Sequence, residues 1–142
     1  MNRLSYPDKD LIKSWIKLLS SSPNFLQEYL PLIDENWYDE VMSPIEMVQF
    51  PYYEQDVHIQ AAHIFYKLTK NHYFIDGNKR TAVVIIYLFL IINRLTFKIS
   101  PEELKSLAKN TAEDSIKEID CSDPIKAVVV LSSIFKDITI SI

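Results

Sequence analysis

The spacing of apolar and polar residues is helical over most of the chain. Apolar side chains recur three and four positions apart from Asp8 to Leu19, and again from Glu54 to about Lys70. Residues at this spacing lie on one face of an α-helix. The pattern therefore predicts two amphipathic helices, and the serines and proline of the segment Ser20 to Pro23 end the first of them.

The residues between these two stretches give weaker signals. Short helical patterns run from Asn24 to about Leu30 and from Leu32 to Tyr38, with Pro31 as the break between them. The following segment, Glu40 to Tyr53, contains two prolines and has neither helical length nor clear caps. We interpret it as an irregular loop with one or two short strands, in the form of a flap.

The most apolar part of the chain is predicted to be its central helix. This helix runs from Lys79 to about Asn93, and its segment Ala82 to Ile92 is an unbroken apolar run of eleven residues. The run is well short of the roughly 20 residues that a helix needs to cross a bilayer. A helix that is apolar on every side is buried inside a protein, so the other helices should pack around it.

A further helix is marked by its N-terminal residues. Ser100 and Glu103 have the spacing of a capping box, in which each side chain binds the backbone N–H of the other residue. Pro101 stands at the first helical position, where proline is favoured. The helix should start there and run to about Lys109.

The last predicted helix begins at Pro124, with Ser122 or Asp123 as its cap, and ends near Lys136. Glycine is scarce: the chain has one, Gly77, where average usage is roughly 7%. The tight turns of β-sandwiches and barrels favour glycine, so its scarcity argues against them. The predicted fold class is all-α.

Composition limits the domain count and the class of partner. The chain has 142 residues, of which 48% are apolar, which suffices for one core and predicts a single domain over residues 1–142. The net charge of -4 provides no basic surface for nucleic acid. One cysteine, Cys121, and an N-terminus without the pattern of a secretory signal predict a cytoplasmic protein with no membrane partner.

The residues that carry chemistry stand together just before the central helix, in the sequence HYFIDGNKR from His72 to Arg80. The backbones of Gly77 and Asn78 tolerate open conformations, so their N–H groups can face one anion. The N-terminus of the following helix also favours phosphate. Lys79 and Arg80 add two positive charges. These residues therefore predict a phosphate-binding loop.

Three other side chains of this segment have separate predicted roles. Asp76 offers hard carboxylate oxygens that suit Mg²⁺ bound to phosphate groups. His72 has an ordinary pKa near neutrality and can accept the proton of an attacking hydroxyl, as a general base. Phe74 lies between them and should anchor the loop in the core. The simpler alternative is a capped helix start with Lys79 and Arg80 in solvent.

The pattern HxFxDGNKR resembles the signature of the Fic/Doc family, HxFx(D/E)GN followed by G or K and then R. Beyond the first forty residues the resemblance covers most of the chain. It implies a helical bundle around a buried central helix, with a short β-hairpin or loop as a flap at Glu40 to Tyr53. It also implies that His72 is the base, that Asp76 holds Mg²⁺, and that the loop binds the phosphates of a nucleotide.

Two positions distinguish the subgroups of the family. Adenylyltransferases commonly have GNGRxxR, whereas this chain has GNKRTAV, with Lys79 at the second glycine and Val83 at the second arginine. This variant is similar to Doc toxins. It implies transfer of a phosphoryl group from ATP to a Ser or Thr hydroxyl of a target protein. The alternative is adenylylation by the same site.

The resemblance to Doc toxins also implies partners. The target would be a translation elongation factor such as elongation factor Tu, and a separate antitoxin protein would inhibit the toxin. The inhibitory pattern (S/T)xxxE(G/N) of other members is missing, because Pro31 stands four residues before Glu35 in the nearest match. A third alternative is a catalytically idle protein that only binds a partner.

Overall fold

The computed structural model describes residues 3–21, 23–50, 53–70, 78–116, 119–120 and 122–142, and residues 78, 119 and 120 by their backbone alone. This part of the chain forms six α-helices, a short 3-10 helix and two small antiparallel sheets. In chain order the elements are α1 (Lys9–Ser21), the 3-10 helix (Gln27–Tyr29), α2 (Glu35–Met47), α3 (Val57–Lys70), α4 (Asn78–Ile92), β1 (Leu95–Phe97), α5 (Pro101–Ala112), β2 (Ser115–Ile116), β3 (Ile119–Asp120), α6 (Pro124–Ile138) and β4 (Thr139–Ser141). The prediction of a mostly helical fold is confirmed.

The centre of the fold is α4. Every residue from 81 to 90 is buried, including six that are fully inaccessible in succession, Thr81 to Ile86. Helices α3, α5 and α1 and strand β1 all pack against it. A helix that is apolar on all sides must be covered on all sides, so the predicted central helix is confirmed.

Helix α3 forms a second layer of contacts. It packs against α6, α4, α5 and α2, and its Phe65 meets Phe135 of α6 edge to face, with ring centroids 5.4 Å apart. Edge-to-face pairs are a favoured geometry of aromatic rings. Helix α3 ends at Lys70, and α4, which packs against it, begins at Asn78.

Two tryptophans bind the N-terminal half of α4. Trp37 of α2 donates its Nε1–H to Thr81 Oγ1 at 3.1 Å, and both residues are almost completely buried. Trp15 of α1 donates its Nε1–H to the carbonyl oxygen of Val84 at 3.0 Å. Buried donors need acceptors, so these bonds fix α1 and α2 against α4.

The cap predictions for the later helices are confirmed. Ser100 and Glu103 form the reciprocal capping box, and α5 continues past Lys109 to Ala112. Of the two candidates for the cap of α6, the structure uses Asp123, whose Oδ1 accepts from the backbone N–H of Ile125 at 2.9 Å.

The prediction of an irregular loop from Glu40 to Tyr53 is wrong for its first half. Residues up to Met47 belong to α2, which contains Pro44 in its interior. Beyond Met47 come turns and bends, and no strand occurs among the described residues of this segment. A flap in this segment would therefore be limited to the connection between α2 and α3.

Burial explains why α2 tolerates its proline. Trp37, Val41 and Ile45 are spaced four residues apart and are buried on one face, next to the buried ring of Pro44. Proline removes one helical hydrogen bond, but burial of this apolar stripe offsets the loss. The helix begins later than predicted because Asp34 is its cap, accepting from the backbone N–H of Trp37 at 2.9 Å.

The remaining differences between the predicted and the observed elements concern short segments. The predicted helix from Asn24 to Leu30 is reduced to the 3-10 helix, whose start is held by Asn24 Oδ1 accepting from the N–H of Leu26. The sheets were not predicted. Strands β1 and β4 pair with Leu95 opposite Ser141, and β2 pairs with β3. No helix in the described ranges combines the length and the apolar composition of a membrane span.

We expect Thr81→Val to lower the free energy of unfolding by about 1–3 kcal/mol, because the buried Nε1–H of Trp37 loses its acceptor while the side-chain shape is kept. The measurement is urea unfolding. The control is Thr111→Val, which removes another fully buried hydroxyl that only donates to Leu107 of its own helix. Equal losses in the two variants would contradict the role of the α2–α4 hydrogen bond.

Candidate functional site

The sequence His72 to Arg80 connects the end of α3 to the start of α4. His72, Phe74, Asp76 and Gly77 lie outside the described residues, so their roles stay predictions. The structure does describe both ends of the connection. The described part of the site comprises the last turn of α3, the first turn of α4 and the surfaces beside them.

The first turn of α4 contains three of the predicted phosphate-binding residues. The helix begins at Asn78, one residue earlier than predicted, and continues through Lys79 and Arg80. Lys79 is half-buried and Arg80 is exposed. The first backbone N–H groups of a helix have no acceptor within it, and the helix dipole makes this end positive. Asn78, Lys79 and Arg80 are thus brought together at one electropositive helix end.

The orientation of this turn is set from the core side. Thr81 follows Arg80 directly and is fully buried against Trp37. Successive helical residues differ by about 100° around the axis. Because Thr81 faces α2 in the core, the neighbouring Arg80 is turned to the surface, where its guanidinium can reach an anion.

The last turn of α3 is held by its final residue. The ammonium of Lys70 donates to the carbonyl oxygen of Ala112 at 3.2 Å and forms an ion pair with the carboxylate of Asp114. It also lies 6.0 Å from the ring centroid of Tyr66. Asp114 has a φ of 59°, a left-handed conformation that aspartate adopts more readily than most residues. Sequence reasoning missed this cluster, because its members lie 44 positions apart.

A groove of about 640 Å³ opens beside Lys70. Its walls are the ends of α2 and α3, the turn after α5 and the start of α6. The lining residues are Ser43, Pro44, Met47, Tyr66, Lys67, Lys70, Asp114, Ser122 and Pro124. The groove therefore adjoins the point where the chain leaves α3 towards His72, and it combines apolar walls with hydroxyl and ammonium groups.

The two other histidines lie on α3 and are partly buried. His58 Nε2 lies 3.2 Å from Thr139 Oγ1, and because that hydroxyl donates to the carbonyl of Phe135, the histidine must be the donor. Burial lowers the pKa of His58, against the opposing effect of Asp56. Burial also lowers the pKa of His63, and Lys67 lowers it further. Both imidazoles are therefore stabilised in the neutral form and belong to the packing of α3.

Asp76 is the one residue that the sequence predicts as a metal ligand. Within the described ranges, no three His, Cys, Asp or Glu side chains are grouped so that they could hold a metal ion. A carboxylate at position 76 would stand just before the electropositive turn of α4 in the sequence. Hard oxygen donors from one carboxylate and from substrate phosphates are the usual ligands of Mg²⁺, so the donor chemistry fits this ion.

Comparison with known proteins gives one family. The sequence model of the Fic/DOC family matches residues 10–90, more than half of the chain. The match includes the segment His72 to Arg80, and it also includes most of the first forty residues, which the sequence resemblance covered poorly. It ends at residue 90, near the end of α4. No curated protein and no solved structure matches the chain.

Proposed function

Since the chain belongs to the Fic/DOC family, we propose that it phosphorylates a Ser or Thr hydroxyl of another protein with ATP as donor. Transfer of nucleotide-derived groups to proteins is the general activity of the family. The observation that carries the proposal is the position of HxFxDGNKR, whose last three residues form the first turn of the buried helix α4. Under this proposal, phosphate binding, proton transfer and metal binding all belong to the segment His72 to Arg80.

The donor phosphates are bound at the start of α4. Backbone N–H groups of this turn donate to phosphate oxygens, and the dipole of a 15-residue helix favours the negative charge. Arg80 is exposed and binds two oxygens at once through its planar guanidinium. Because α4 is held in the core, the backbone N–H groups of its first turn are already in place when the nucleotide binds.

His72 and Asp76 supply the remaining chemistry. Asp76 and the phosphate oxygens would hold Mg²⁺, which neutralises charge on the transferring group when it is bound. His72 accepts the proton of the attacking hydroxyl at an imidazole nitrogen, which typically contributes 10²–10⁴-fold to a rate. The hydroxyl oxygen forms the new bond to phosphorus, and the bond from phosphorus to the leaving nucleoside diphosphate breaks.

Lys79 favours phosphoryl over adenylyl transfer. It replaces a glycine of the adenylyltransferase pattern, and its side chain is half-buried at the start of α4. A lysine there fills space and adds positive charge beside the phosphates, so the nucleotide binds with its terminal phosphate towards the target hydroxyl. Under this proposal the protein is a Doc-like toxin, its target is an elongation factor such as elongation factor Tu, and a separate antitoxin protein inhibits it.

The proposal predicts a mass gain of about 80 Da for elongation factor Tu incubated with this protein, Mg²⁺ and ATP, and none with His72→Ala. Intact-mass spectrometry is the measurement. A gain of about 329 Da would instead identify adenylyl transfer by the same site. If growth inhibition on expression survives His72→Ala, the protein acts as a binding partner and the enzyme proposal is wrong.

Arg80→Ala should lower kcat/KM for ATP about 10- to 100-fold, because a bidentate phosphate contact is lost. The midpoint of thermal unfolding should stay close to that of the unmodified protein, since the Arg80 side chain is exposed. Arg3→Ala is the matched control, removing another exposed arginine. Steady-state kinetics with equal kcat/KM in both variants would rule out the phosphate contact.

A further inference from the structure

The Lys70 cluster joins three parts of the fold that are distant in sequence. Lys70 is the last residue of α3, Ala112 is the last residue of α5, and Asp114 lies in the turn that leads into β2. The ammonium donates to the Ala112 carbonyl and pairs with the Asp114 carboxylate. The end of α3 is thus fixed to the end of α5 through one side chain.

The charges in this cluster are complementary. The carboxyl-terminal ends of α3 and α5 are both negative through their helix dipoles, and a cation near such an end is stabilising. The side chains of Lys70 and Asp114 are 27% and 41% exposed, so solvent screens the pair less than it screens a fully exposed one. A partly buried ion pair therefore stabilises the carboxyl-terminal end of α3.

The position of the pair relative to His72 follows from covalent geometry. Lys70 precedes His72 by two residues, so their Cα atoms lie at most about 7 Å apart. The last turn of α3 is therefore the nearest described attachment point of the segment that contains His72. A shift of about 1 Å in a catalytic group can lower a rate about 100-fold.

We infer that Lys70 and Asp114 are positioning residues for the reaction, and that their ion pair holds the end of α3 so that His72 meets the target hydroxyl. This inference rests on the proposed function for the part that concerns His72. The mechanical part, that the pair holds the last turn of α3, concerns described residues alone. The two parts are tested by separate measurements.

The mechanical part is tested by amide hydrogen exchange at residues 67–70, measured by NMR without nucleotide. Asp114→Asn keeps a residue that tolerates the left-handed conformation but removes the charge. We expect Asp114→Asn and Lys70→Met each to speed exchange at residues 67–70 and to leave the core of α4 unchanged. Unchanged exchange at residues 67–70 in both variants overturns the inference.

The kinetic part is tested by phosphoryl transfer from ATP to elongation factor Tu. Lys70→Met and Asp114→Asn should each lower kcat about 10- to 100-fold with little change in KM for ATP, because the base is misplaced while the phosphate site is intact. Lys70→Arg keeps the charge and should retain more activity than Lys70→Met. The kcat of the double variant should be no lower than that of the less active single variant, as expected when both residues act through one interaction.

Lys9→Met is the matched control for the loss of a lysine ion pair. Lys9 pairs with Asp39 at 2.5 Å between α1 and α2, with both side chains more exposed than those of Lys70 and Asp114. Exposed pairs contribute little, so exchange and kcat should stay unchanged.

The outcomes separate the inference from the proposed function. A loss of kcat in Lys70→Met but not in Asp114→Asn would assign Lys70 to direct substrate contact and overturn the positioning role. If the unmodified protein transfers no group, the proposed function fails, and the positioning of His72 for that reaction fails with it. Faster exchange at residues 67–70 in both variants would then support only the mechanical role of the pair.

Discussion

The complete burial of α4 is the constraint on which the rest of the structure depends. Ten consecutive residues, 81 to 90, are buried, so neighbours must cover this helix around its whole circumference, and α1, α3, α5 and β1 do so. Only its ends can meet solvent. The N-terminal end carries Lys79 and Arg80, so the helix at the centre of the core also supports these two charged side chains.

The other supports of the site also come from the core side. The hydrogen bond from Trp37 fixes the first turn of α4 at Thr81, while Lys70 fixes the last turn of α3 to the end of α5. Both ends of the connection from α3 to α4 are therefore anchored by polar contacts between distant segments. The proposed phosphoryl transfer requires such anchoring, because this reaction depends mainly on the alignment of groups and on charge neutralisation.

The features that could be predicted from sequence are those with local signals. The apolar run of α4, the capping box of α5 and the cap of α6 each depend on residues a few positions apart, and each was confirmed. The proline in α2 misled the prediction, because burial of Trp37 and Val41 outweighs the helical hydrogen bond that Pro44 removes. The β1–β4 pairing and the Lys70–Asp114 ion pair join segments about 44 positions apart, and no local pattern encodes them. For the candidate site, the sequence motif alone supplies His72, Asp76 and Gly77.

We propose that the first turn of α4 binds the donor phosphates, and a crystal structure with Mg²⁺ and a non-hydrolysable ATP analogue tests this most directly. Phosphate oxygens should then lie within hydrogen-bonding distance, about 3 Å, of the backbone N–H groups of Asn78 to Arg80 and of the Arg80 guanidinium. A bound nucleotide whose phosphates contact neither the N–H groups nor the guanidinium would contradict the proposal.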